Sequence, residues 1–156
     1  MSLEVEIEGM DEIQEKIKRL GNKKISRNAA TRAARKAMRI VRDAARNGAK
    51  SIDDRETSEK IWKNITISSG KTKDKSVVKM RVGVRGGAAV NAKSDRAKLA
   101  ALPGGETVHW RHIELGNAHH AAQPFMRPAL SNNIEQVVAS FSKSFSEELD
   151  KELAKL

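Results

Sequence analysis

The chain has 156 residues, with 30 Lys+Arg against 20 Asp+Glu, a formal net charge of +10, and neither Cys nor Tyr. This length is natural for one domain, which would bury roughly 68–70% of the surface its unfolded chain exposes. The lack of Cys excludes disulfide scaffolds, cysteine-ligated zinc, iron–sulfur clusters and thiol nucleophiles.

Six acidic residues and no basic one occupy the first fifteen positions, so no signal or transit peptide is expected. No apolar run approaches the ~18 residues of a membrane span, and no membrane partner is expected. Leu3, Val5 and Ile7 alternate with Glu4, Glu6 and Glu8, which reads as a half-exposed strand ended by Gly9. Met10, Ile13, Ile17 and Leu20 share one helical face, with Gly21 as C-cap. A long helix follows from Asn22 to about Lys50, free of Pro and rich in Ala, Arg and Lys. Residues 51–59 are polar turn. Ile61, Ile65 and Ile67 read as a strand ending near Gly70, 71–75 as a charged hairpin turn, and 76–84 as a strictly alternating strand.

Residues 86–107 have no consistent period, although 95–102 fits a short helix. A stretch of that length inside a compact domain is usually functional or disordered, and a flexible loop is expected. Val108 to Leu115 is strand or helix. Ile134, Val137, Val138, Phe141, Phe145 and Leu149 recur at helical spacing, so a C-terminal helix is expected from Pro128 to the end. Pro suits a first helical turn because its missing N–H would be unpaired there. The expected fold is a single α+β domain over 1–156, a small antiparallel sheet packed against the long basic helix and the C-terminal helix.

The charge is uneven. Between Lys16 and Lys50 lie thirteen basic residues and one acid, Asp43, a local net of +12; the other segments together carry −2. At about 100° per residue, Arg32, Arg35, Arg39, Arg42 and Arg46 line one helical face, opposite Ala30, Ala33, Ala34, Ala37, Val41, Ala44 and Gly48. Two readings stand. The stripe is a solvated face, or it meets an acidic protein surface or nucleic acid. Like charges at these spacings repel by a few tenths of a kcal/mol per pair, which favours a partner. No aromatic lies in the segment, so any DNA contact would be to phosphate and sequence-independent.

Little else offers chemistry. His109-x-x-His112 with Glu114 lacks any zinc-hydrolase spacing, and His119 and His120 fall in an Ala/Gln/Pro-rich loop. Gly83-x-x-Gly86-Gly87 lacks the phosphate-loop pattern, and no nucleophile elbow occurs. Neither an enzyme nor a cofactor or metal is expected.

Residues 108–130, VHWRHIELGNAHHAAQPFMRPAL, carry a resemblance. Trp110, Ile113, Glu114, Leu115 and Gly116, followed by Gln123, Pro124, Phe125, Met126, Arg127, Pro128, Ala129 and Leu130, resemble the signature of the minor tail, or head–tail joining, proteins of long-tailed phages. That tail-completion family includes lambda protein Z. Asn117 stands where Thr is usual, and His109-Trp110 where Tyr is frequent. More loosely, after an apolar-periodic helix and a long Ala/Lys/Arg-rich helix, Thr57 to Ile65, with Ser58 where Gly is usual, and then Val82-Gly83-Val84 match family segments in order. The resemblance implies a structural virion protein that joins heads to tails by forming a ring, expected to be hexameric, among neck and tail proteins, after assembly in the host cytoplasm. The alternative is a sequence-independent nucleic-acid-binding protein using the arginine stripe. The motif also has structural work to do. Gly116 permits a sharp exit, Pro124 restrains the chain, Phe125 anchors it, and Glu114 and Arg127 are placed to pair across the loop.

Overall fold

The computed structural model describes residues 7–87 and 89–156. The elements run α1 (Met10–Leu20), α2 (Lys23–Ile52), α3 (Ile61–Asn64), β1 (Ile65–Ser69), β2 (Met80–Val84), α4 (Arg96–Ala100), α5 (Trp110–Leu115), α6 (Met126–Ser131) and α7 (Ile134–Leu153). The fold is α+β, with β1 and β2 forming a two-stranded antiparallel sheet. Two compact units divide it. The first takes the described residues up to Ile40, Ile67–Arg81 and Asn133–Leu156; the second takes Val41–Thr66 and Val82–Asn132.

In the first unit, Ile13 and Leu20 of α1, Ala29 and Ala33 of α2, and Phe145 and Leu149 of α7 form one buried cluster. Alanines on α2 leave room for the large side chains of the other two helices. Phe141 and Phe145 stack obliquely, with ring centroids 5.4 Å apart. Lys16 ties α1 to α7: its ammonium reaches Glu12 at 2.6 Å, Asp150 at 2.8 Å and the Ser146 hydroxyl at 2.7 Å. Its side chain is largely covered, and these partners hold its pKa above the ordinary lysine value, the hydrogen bond to Asp150 first. Gly21 ends α1 in the left-handed conformation, with its N–H on the Ile17 carbonyl.

In the second unit, Val41, Ala45 and Ala49 of α2 are buried, as are Ile61, Ile65, Phe125 and Ala129. Gly48 admits the close approach of Phe125: a Cβ there would lie 3.1 Å from the Phe125 Cβ.

The differences from the sequence expectations have local causes. The strand expected at Leu3–Glu8 falls mostly outside the described residues; Ile7 is irregular and Glu8–Gly9 form a turn. Residues 61–64 are helical rather than strand, because the Asp53 carboxylate accepts the N–H groups of Ile61 and Trp62 and winds the chain. The second strand starts at Met80, not 76. Asp74 accepts from the Ser76 N–H and hydroxyl, and Thr72 donates to the Val77 carbonyl, keeping 72–77 in a turn. The C-terminal helix is two helices, broken at Asn132–Asn133, residues that favour turns and caps over helix interiors.

The buried line of α2 also departs from a straight face. It runs Ser26, Ala29, Ala33, Ala37, Val41, Ala45, Ala49. Successive i+4 steps advance about 40° around a 3.6-residue helix, so the buried side rotates along α2. Ala44 and Gly48 are consequently only half-buried, and the arginine side turns inward toward its C-terminal end.

Candidate functional site

Glu114 organises the segment with the strongest sequence signature. It sits at the penultimate position of α5 and is 3% exposed. One carboxylate oxygen accepts the N–H groups of Phe125 (2.7 Å) and Met126 (2.9 Å). The other accepts the Arg127 N–H at 3.0 Å and its Nε at 3.1 Å. The Arg127 Nη2 then donates to the Glu114 carbonyl at 2.9 Å. The carboxylate therefore satisfies the open N–H groups at the start of α6. Burial alone would raise the Glu114 pKa; the three backbone donors and the guanidinium outweigh it and hold the carboxyl below its ordinary value. The expected pairing of Glu114 with Arg127 is present, but it is the smaller part of a backbone clasp.

The rest of the motif closes the loop between α5 and α6. Gly116 has φ +74°, and a Cβ would lie 2.8 Å from the Ala122 nitrogen, so only glycine makes this exit. Gln123 is exposed, and its N–H donates to the Ile113 carbonyl. Pro124 is exposed, Phe125 is buried, and Pro128 is third in α6. Asn117, in the place of the expected Thr, accepts the N–H groups of His119 and His120 at 2.8 Å each, an Asx turn that shapes the loop. All four histidines are exposed, and among the described residues no group of three or more His, Asp or Glu is placed to hold a metal ion.

A second polar centre, absent from the sequence expectations, is built on Asn64. Its side chain is fully buried, donates to the Gly105 carbonyl (2.9 Å) and the Thr107 hydroxyl (2.7 Å), and accepts the Gly104 N–H at 2.8 Å. The Lys60 N–H donates to the Gly104 carbonyl. Any Cβ on Gly104 would collide with the Lys60 carbonyl oxygen. At the other end of this stretch, Trp110 Nε1 donates to the Gly87 carbonyl at 2.8 Å. The visible signal was Pro103-Gly104-Gly105, a turn sequence; nothing in the sequence pairs it with Asn64.

Four of the five stripe arginines have partners within the molecule. Arg32 reaches Glu148 (2.5 Å) and Glu152 (2.8 Å) of α7, and Arg35 reaches the Ser69 hydroxyl at 3.3 Å. Arg42 pairs with Asp43, and Arg46 donates twice to the Ile65 carbonyl, at 2.8 and 3.1 Å. Of the five, Arg39 has no ion-pair or hydrogen-bond partner for its side chain among the described residues. The acids that answer Arg32 lie more than a hundred residues away in sequence, beyond any helical-spacing argument.

A family model described as "Bacteriophage HK97-gp10, putative tail-component" matches residues 11–116. No curated protein and no solved structure matches the chain. The family match takes in the arginine helix, the Asn64 centre and Glu114, and stops before Gln123–Leu130. With 106 of its 156 residues inside that match, the chain belongs to the HK97-gp10-like family of bacteriophage tail components.

Proposed function

We propose that the chain completes the phage tail and joins it to the head, acting as a ring of identical subunits, six by resemblance to the lambda protein Z-like proteins, at the neck or upper tail. The observation that carries this is family membership as a tail component, joined by the Gln123–Leu130 segment that lies outside the matched residues. Glu114 binds the two parts of the motif into one folded piece. Such work needs no catalysis; complementary surfaces between subunits and with neighbouring neck and tail proteins suffice. The subunits assemble in the host cytoplasm and remain in the virion. The 86–107 stretch serves as the adaptable segment that orders on assembly, its ends already anchored at Trp110 and Asn64.

Deletion of the gene from the phage tests this. Electron microscopy of the lysate should show full heads and finished-length tails lying unjoined, restored by the wild-type chain in trans. Normally joined virions without the protein would overturn the reading. The nucleic-acid alternative draws on the stripe, where Arg39 has no side-chain partner among the described residues. A steep fall of DNA affinity with salt, reduced by Arg39→Ala, would favour it.

A further inference from the structure

The basic segment contains no aromatic residue, but the fold brings one to its end. Within the second unit, the indole of Trp62, in α3, lies beside the last turn of α2. The Lys50 ammonium stands 4.6 Å from the ring centroid and the Lys63 ammonium 5.7 Å from it. Both lysines are exposed, and neither has an ion-pair or hydrogen-bond partner among the described residues. Acids close by in sequence are already engaged: Asp43 pairs with Arg42, and Asp53 accepts the Ile61 and Trp62 N–H groups. The Trp62 Nε1–H has no partner either; no buried side-chain polar atom among the described residues is left unpaired, so this donor faces solvent. A cation is attracted by the negative face of an indole, but the ring carries no net charge to neutralise it. One ring thus gathers two like charges and leaves both unanswered.

Arg42, Arg46 and Lys50 follow one another along α2 at i+4 steps, a rise of about 6 Å each, so the two ammoniums end a column of cations. Arg46 gives Nε and Nη2 to the Ile65 carbonyl and keeps Nη1 for another acceptor. Regularly spaced cations suit a polyanion whose charges recur at a constant interval, as in duplex DNA at about 3.4 Å per strand. An acidic protein surface has no such period. Among the described residues, no large apolar side chain is exposed on α2 or α3, so the ring lacks the apolar surround of a protein–protein hot spot. We propose that Lys50, Lys63 and the Trp62 N–H, with Arg46 alongside, form a contact for the phosphate backbone of duplex DNA. Because Lys50 stands over the ring, the indole positions cations for phosphate and offers no platform for stacked bases. The contact is therefore independent of base sequence. It goes beyond tail completion and does not depend on the ring, which the gene deletion tests separately.

Fluorescence anisotropy of a short labelled duplex of arbitrary sequence, titrated with the full chain over a salt series, provides the test. Lys50→Ala/Lys63→Ala should make the log–log salt slope shallower by about 2 and weaken binding at low salt about tenfold or more. Trp62→Phe keeps the charge and loses the N–H, so binding should weaken severalfold at an unchanged slope. Lys23→Ala/Lys24→Ala, which removes the same charge elsewhere, should change both far less. An equal loss of slope in this control pair would show diffuse attraction and overturn the site. So would wild-type binding by Lys50→Ala/Lys63→Ala or by Trp62→Phe, or a wild-type chain with no measurable affinity. The lysine pair, both exposed, decides the matter if Trp62→Phe lowers the melting temperature. A slope that falls with Arg39→Ala and not with the lysine pair would keep the nucleic-acid reading of the stripe and overturn this site. If the lysine pair binds DNA normally yet fails to restore joined virions to the deletion phage, the patch meets an acidic protein neighbour and the proposal fails.

Discussion

Glu114 shows how much one buried carboxylate can organise. Removing it strands three backbone N–H groups at the start of α6 and leaves the Arg127 guanidinium without its carboxylate. Glu114→Ala should cost roughly 3 kcal/mol or more, which in a chain of this size lowers the melting temperature by about 6–12 °C. The pH dependence has a definite sign. The folded pKa of Glu114 is depressed, so its contribution is full above the unfolded value near ~4.3 and is lost as pH falls through the folded value. Thermal melts of wild type and Glu114→Gln should therefore differ most near neutrality and converge in acid. A gap that stays constant down to strong acid would show that shape, not charge, holds the clasp. At the Asn64 centre, Asn64→Leu should cost about 2–4 kcal/mol by leaving the Gly104 N–H and Gly105 carbonyl without partners. Hydrogen exchange should then accelerate at residues 104–107 before the rest of the chain. Gly104→Ala should produce the same local pattern, because its methyl meets a carbonyl oxygen rather than a flexible side chain.

At the scale of elements, α2 is read best as a helix whose partners change along its length. Its basic stripe is partly a set of internal ties: to α7 through Arg32, to β1 through Arg35 and Arg46. The Arg32 pairs are half-exposed, so Arg32→Ala should cost only a few tenths to about 1 kcal/mol, shrinking with added salt. Arg46 donates to a backbone carbonyl rather than to a carboxylate. Its loss should be larger and nearly salt-independent, and Lys should rescue it poorly because one ammonium cannot reproduce the forked donor. Arg39→Ala should leave the melting temperature within the error of a surface change. Equal effects at all three positions in a salt series would contradict this division of the stripe into tied and untied residues.

For the whole molecule, the formal +10 hides a separation of charge that bears on assembly. The first fifteen residues are wholly acidic where charged, and the next segment carries +12. Like subunits bearing complementary patches associate head-to-tail and do so faster at low salt. Deletion of residues 1–6 should leave the Glu114 clasp, and hence the acid limb of thermal stability, unchanged in a pH series of thermal melts.

The amino-acid sequence by itself determined the helices of strong period. It also determined the location of the positive charge, the α+β class and the tail-protein resemblance, because periodicity, composition and the Gln123–Leu130 segment are local properties of the chain. It misplaced the strand starts, since the Asp53 and Asp74 carboxylates wind nearby backbone that would otherwise read as alternating strand. It split neither α6 from α7 nor the tied arginines from the free one. Tertiary structure alone decided that Asn64 meets Gly104, Gly105 and Thr107, that Arg32 meets Glu148 and Glu152, and that Lys23, Lys24, Arg27 and Lys75 line one apolar cleft. Those pairings join residues about forty to more than a hundred positions apart. Local chemistry fixes what each side chain can do, and only the closed chain fixes which partner comes within hydrogen-bonding distance.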